Sequence, residues 1–255
     1  MSLQKTSHNK RLIMGNFFKH IFAEQESDST NLNSRQIDLP QFTEIDAETY
    51  TFTINIQGGK NYQAIISSQA NENVNITVFG KKLLIREKKP RAKKNLIYTK
   101  QALINITLPL DCELLQTKIK AYAGDVTLLH LTMQNLDLEL LAGSAKLTDL
   151  IVHGAAKINL SAGSLKLLNC KMNLKADLAA GSANIKQLQG QSSFILAAGS
   201  LTIIESKNDT TSYDLKTSVG LIKYHQENHH HHFYRKSSGP NSLVAKALAG
   251  SIIVK

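Results

Sequence analysis

Glycine recurs at positions 124, 143, 163, 181, 199, 220 and 250, each time inside one six-residue phrase: a small residue, Gly, a polar residue, an apolar one, any residue, then another apolar one. The steps between copies are 19, 20, 18, 18, 21 and 30 residues. At ~3.3 Å per residue, such a period supplies two or three short strands with corners and is too short for a helical hairpin. No Pro occurs between Pro109 and Pro240, so nothing in that stretch removes a sheet donor. The expected fold is all-β, with residues 111–255 forming a β-solenoid whose coils are about 19 residues long.

Aligning the copies on their glycines gives a register. Three residues before Gly stand Ala121, Leu140, Leu160, Leu178, Leu196, Thr217 and Ala247, and five before it stand Ile119, Leu138, Ile158, Ala176, Phe194, Leu215 and Ala245. These columns are expected to point inward. The columns between them are mostly polar, from Lys120, Glu139, Asn159 and Asp177 to Lys118, Asp137, Lys157 and Lys175, and point outward. Alternation of period two, kept over seven copies, requires parallel strands stacked coil on coil at ~4.8 Å. Lys120 should then lie beside Glu139. The glycine occupies a corner where a side chain would force a strained φ or block the next coil.

Ser follows the glycine at 144, 164, 182, 200 and 251. Five equivalent serines with no activating base repeated beside them describe a ladder of hydroxyls and not a nucleophile. Cys112 and Cys170 form no zinc-site spacing and fall on different coils, so both are expected to be free, buried thiols. No apolar run is long enough for a membrane-spanning helix. Residues 1–30 carry no signal-peptide pattern, which makes cytoplasmic the default location, with surface display or non-classical export as the other outcome.

The formal charge of +10 is uneven. Lys81, Lys82, Arg86, Lys88, Lys89, Arg91, Lys93 and Lys94 stand against a single acid, Glu87. The basic loop Lys88, Lys89, Arg91, Lys93 and Lys94 is the candidate partner-binding site, with nucleic acid or an anionic membrane among its partners. Only Tyr98 lies near to stack a base. A second break in regularity, residues 225–240, holds His225, His229, His230, His231 and His232, a weak metal-site candidate because a selective site needs fixed geometry. Outward acids Asp137, Glu139, Asp177 and Asp214 are spread over separate coils among lysines, which disfavours a polysaccharide-cleaving carboxylate pair.

Residues 1–35 are expected to be a tail with a short amphipathic helix near Ile13–Phe22, and 36–110 an irregular β lead-in with the basic loop, continuous with the solenoid. The chain ends on the phrase at Gly250, so an exposed last coil would invite end-to-end self-association unless the histidine insertion folds over it.

The lead-in FTEIDAETYTFTINIQGGKNYQAIISSQANENVNITVFGKKLLI, the segment INITLPLDCELLQTKIKAYAGDVTL and the phrases LSAGSLKL, LAAGSANI and LAAGSLTI resemble the bacterial auto-transporter adhesin (head GIN) domains and related adhesin β-helix domains. The likeness covers roughly 36–255. It implies a single-stranded right-handed parallel β-helix and an adhesive, non-enzymatic binding role toward a protein or glycan, with no cofactor. It defines no functional residues.

Overall fold

The structure is a computed structural model and describes residues 33–68, 73–89, 102–206 and 210–255. The helix expected near Ile13–Phe22 lies outside the described residues. The first seven strands are β1 (Asn33–Asp38), β2 (Glu44–Thr49), β3 (Thr53–Gly59), β4 (Gln63–Ser68), β5 (Val74–Phe79), β6 (Lys82–Glu87) and β7 (Leu103–Pro109). They are followed by β8 (Glu113–Ala121), β9 (Val126–Gln189), β10 (Gln191–Ile204), β11 (Ser212–Tyr224), β12 (Glu227–His229), β13 (His232–Arg235) and β14 (Ser242–Val254). All of them join one sheet. Among the described residues there is no α-helix, and the fold is an all-β, β-solenoid-like repeat.

The inward columns expected from the repeat are all buried, from Ile119 and Ala121 through Leu138 and Leu140 to Ala245 and Ala247. Their register is the one the glycines fix, with Gly199 paired to Gly181 and Ile119 to Leu138. Two further breaks in the burial pattern divide each coil into three sides. Val126 and Leu128 line one, Leu131 and Met133 the second, and Leu136, Leu138 and Leu140 the third. The glycine makes one corner. At Gly163, φ is +128° and a Cβ would stand 1.7 Å from the Gly143 carbonyl oxygen, so no side chain fits there.

The second corner uses no glycine. His130, Asp149, Asn169 and Gln187 take φ values of 52–58° there, in the left-handed region that short polar side chains tolerate best. His130 Nδ1 lies 3.2 Å from Asp149 Oδ2, and Asn169 donates to the other oxygen of Asp149. At the third corner, Asn135 and Asn173 accept from the backbone of the next coil at Ala155 and Gln191.

Residues 44–57 are not irregular. β2 pairs in parallel with β8, and Ile54 with Val126, so this stretch is itself a coil beneath the first glycine phrase. β6 and β7 form a further coil below it, in parallel with β2 and β3. The outer edge of that coil is taken by antiparallel strands, β5 on β6 and β4 on β7, with β1 on β4.

The far end corrects the expected coil order. The last phrase, in β14, is not outermost. It is inserted between β10 and β11, with Gly250 paired to both Gly199 and Gly220. The outermost coil is β11, and β12 and β13 from the histidine insertion add to its edge antiparallel. The premise that β14 presents the terminal edge therefore fails. Both cysteines are free. Burial pushes the Cys170 thiol above its ordinary pKa, as its inward position requires.

Candidate binding faces

The basic segment is split by strand alternation. Leu83 and Ile85 point inward on β6, and Glu87 follows them into the core. There its Oε2 accepts from the N–H groups of Tyr50 (2.6 Å), Thr51 (2.9 Å) and Phe52 (3.3 Å), while Oε1 accepts from Thr51 Oγ1 at 2.7 Å. This carboxylate closes the corner of the β2–β3 coil, the place where the coils above carry glycine. Two cations alternate outward and are occupied: Lys82 pairs with Glu44 at 3.0 Å and Arg86 with Asp46 at 2.8 Å. Lys88 and Lys89 are exposed. Arg91, Lys93 and Lys94 lie outside the described residues.

The histidines are dispersed. His225 Nε2 lies 3.2 Å from Glu205, whose side chain is 9% exposed and also receives Arg235 at 3.2 Å. Arg235 donates to the Tyr224 hydroxyl, and the Tyr224 ring stacks on Phe233 at 4.4 Å. His229 packs against Phe233, and His232 Nε2 lies 2.8 Å from Asp214. Burial works to raise the Asp214 carboxyl, but hydrogen bonds from Lys216 and His232 outweigh it and leave the group below its ordinary pKa. His230 and His231 sit in the turn before β13, between His229 and His232. Among the described residues no three His, Cys, Asp or Glu side chains are grouped to hold a metal. Three of the five histidines contact acids, and these contacts fasten β12, β13 and the end of β11.

The three sides differ in chemistry. The side that ends at the glycine corner has mixed charge. Lys120 pairs with Glu139 at 3.1 Å, as the repeat register requires, and that contact raises the lysine's pKa. Tyr50 and Tyr122 stack here with ring centroids 4.4 Å apart, and both hydroxyls approach Glu48. Burial, then the negative charge of Glu48, raises the Tyr50 phenol. Aligning residue 50 with residue 122 would have revealed this pair, but the β2–β3 coil lacks the glycine that marks the others. Further along the same side, Leu160, Asp177, Leu178 and Ile195 line an open groove of about 440 Å³.

The side just after the glycine corner, lined inside by Val126 and Leu128, carries lysines and uncharged residues. The side lined inside by Leu131 and Met133 holds an open groove of about 480 Å³ lined by His153, Lys171, Asn173, Gln191 and Asn241. Each side is a flat strip of parallel strands, suited to holding an extended partner and not to enclosing a small one.

The family model described as Toastrack DUF4097 matches residues 42–244. No curated protein matches the chain. Among solved structures, the chain is similar to a "putative cell adhesion protein" of Clostridium sporogenes, at 13% identity over 88% of this chain and 99% of that one, with a TM-score of 0.40. A "putative adhesin" of Bacteroides fragilis matches at 14% identity over 89% and 98%, with a TM-score of 0.41. A "putative lipid binding protein" of Parabacteroides distasonis matches at 12% identity over 89% and 98%, with a TM-score of 0.37.

Proposed function

The chain belongs to the Toastrack DUF4097 family, and from that premise we propose that it is a non-enzymatic binding scaffold, presenting a rigid sheet side to a protein or glycan partner. The observation that carries this reading is the continuous register of the outward columns, from Asp46 beside Lys118 and Asp137 to Lys246 beside Ile195 and Lys216. Side chains fixed on paired strands lose little freedom when a partner docks, which favours recognition along a strip. A coil of about 19 residues is in keeping with pairings such as Lys118 to Asp137 and Phe194 to Ala176, and we read the parallel β-helix as right-handed from the resemblance of its repeat alone. Its role is adhesive, in line with the resemblance of its repeat to the head GIN domains.

The test is a panel of immobilised glycans and surface proteins probed with the whole chain, with product release followed on every glycan bound. Saturable binding without turnover is the expected result. Turnover on an acidic polysaccharide that disappears in Asp177→Ala would overturn the scaffold reading. Absence of saturable binding across the panel would overturn it as well.

A further inference from the structure

The side just after the glycine corner concentrates unpaired positive charge. Lys146, Lys166 and Lys223 stand three residues after their glycines, and Lys186 and Lys255 five residues after theirs. All five are exposed, and among the described residues none makes an ion pair. No Asp or Glu occurs in either column on any coil, including the coils built from β3 and β7.

The acids that border this side are already occupied. Asp125 accepts from the Ser144 N–H at 2.7 Å. Asp149 holds His130 and Asn169. Glu205 holds His225 and Arg235. The mixed-charge side sets Asp137, Glu139, Asp177 and Asp214 among its cations, whereas this side sets no acid in its two outward columns and leaves its ammonium groups for an outside partner.

We propose that this lysine side is the docking track for a linear acidic glycan, an inference that rests on the binding-scaffold reading and names its ligand class. Parallel strands in register set successive rows ~4.8 Å apart, so the cations form a track two columns wide, with a lysine on every row from Gly143 to Gly220 except the Gly199 row, where Thr202 and Ile204 stand. Such an array matches a chain that carries one anionic group after another along its length. Between the lysines, Asn184 and Thr202 offer hydrogen bonds to sugar hydroxyls, and Ser144 and Ser164 form a hydroxyl ladder along the bordering corner, 3.0 Å apart. Neither column contains Phe, Tyr or Trp, and the single imidazole, His225, is held by Glu205 and packed edge-on against Tyr224, which removes the open stacking platform that single-stranded nucleic acid would use.

The test compares retention on immobilised polygalacturonate with retention on uncharged dextran, double-stranded DNA and anionic phospholipid vesicles. Wild-type chain should bind polygalacturonate at about 50 mM salt, bind dextran negligibly, and weaken steeply toward about 200 mM. Reversing the track with Lys146→Glu, Lys166→Glu and Lys186→Glu should weaken binding by about tenfold or more. The Lys→Gln version of the same triple variant should weaken it less, and circular dichroism should show both variants folded. Lys88→Glu with Lys89→Glu should leave binding unchanged.

Equal retention on dextran would overturn the proposal, as would tighter binding to DNA or vesicles, or loss caused by the Lys88 and Lys89 pair alone. If polygalacturonate is not retained while another partner is still held without turnover, the lysine track falls and the scaffold reading stands. Turnover would bring down the scaffold reading itself.

Discussion

Ser251 is paired with Ser200 on the neighbouring strand, so the last phrase of the chain is an inner coil of the stack. Ser251 also pairs with Leu221 on its other side, which leaves Ser200 and Leu221 two strands apart.

That order is open to cross-linking. Adjacent strands place Cα atoms ~4.8 Å apart, inside disulfide reach, whereas two strands span ~9.6 Å, beyond it. In a chain with Cys112→Ala and Cys170→Ala, the pair Ser200→Cys and Ser251→Cys should oxidise to a disulfide. The pair Ser200→Cys and Leu221→Cys should remain reduced. Mass spectrometry after mild oxidation reads both, and the opposite pattern would restore the order of the chain.

The sequence could not supply this order, because every copy of the phrase shares one register. A coil carrying Ala245, Ala247 and Ile252 inward fits between Phe194 and Leu215 as well as it would fit beyond them. What alternation does specify, inward columns and the Lys120–Glu139 neighbourhood, is what the structure contains. The coil at 44–57 escaped notice for a related reason. Its corner is closed by Glu87, which lies far away in sequence, and not by a local glycine. Composition alone also does not show how the charge is distributed over the fold. The run from Lys81 to Lys94 is the densest in the sequence, yet Lys82 and Arg86 are neutralised by β2, while five scattered lysines converge on one side through the coil period.

The corner glycines should divide sharply by what surrounds them. Gly163→Ala would drive a Cβ to 1.7 Å from a backbone oxygen that cannot move without shifting a coil, so a loss of about 4 kcal/mol or more is expected. Gly80 also has positive φ, at +60°, but nothing lies within 4 Å of its added Cβ. Gly80→Ala should cost only about 1–2 kcal/mol. Urea denaturation of the two variants checks the contrast.

Removing the Glu87 carboxylate strands three backbone N–H donors and the Thr51 hydroxyl at one corner. Glu87→Ala should destabilise by about 3 kcal/mol, since bonds to a charged acceptor are the stronger kind and the Phe52 N–H would be left buried without a partner. Glu87→Gln should recover part of the loss: its carbonyl can face the N–H groups and its amide the Thr51 oxygen. Equal losses in the two variants would mean that side-chain volume, not hydrogen bonding, holds the corner.

The β13 strand should loosen in acid through Asp214. The folded carboxyl lies below its ordinary value, held there by Lys216 and His232. A depressed carboxylate contributes stability that is complete above the unfolded pKa of about 3.9 and is lost as pH falls through the lower folded value. Amide exchange in His232–Arg235 should therefore accelerate below about pH 4, beyond the change expected from chemistry alone. Glu205 holds the same segment through Arg235, so the informative quantity is the difference from Asp214→Asn. That variant should already exchange faster near neutrality and show a smaller further rise in acid. If it follows the wild type at every pH, the Asp214–His232 contact does not hold β13, and the Glu205–Arg235 pair carries the attachment alone.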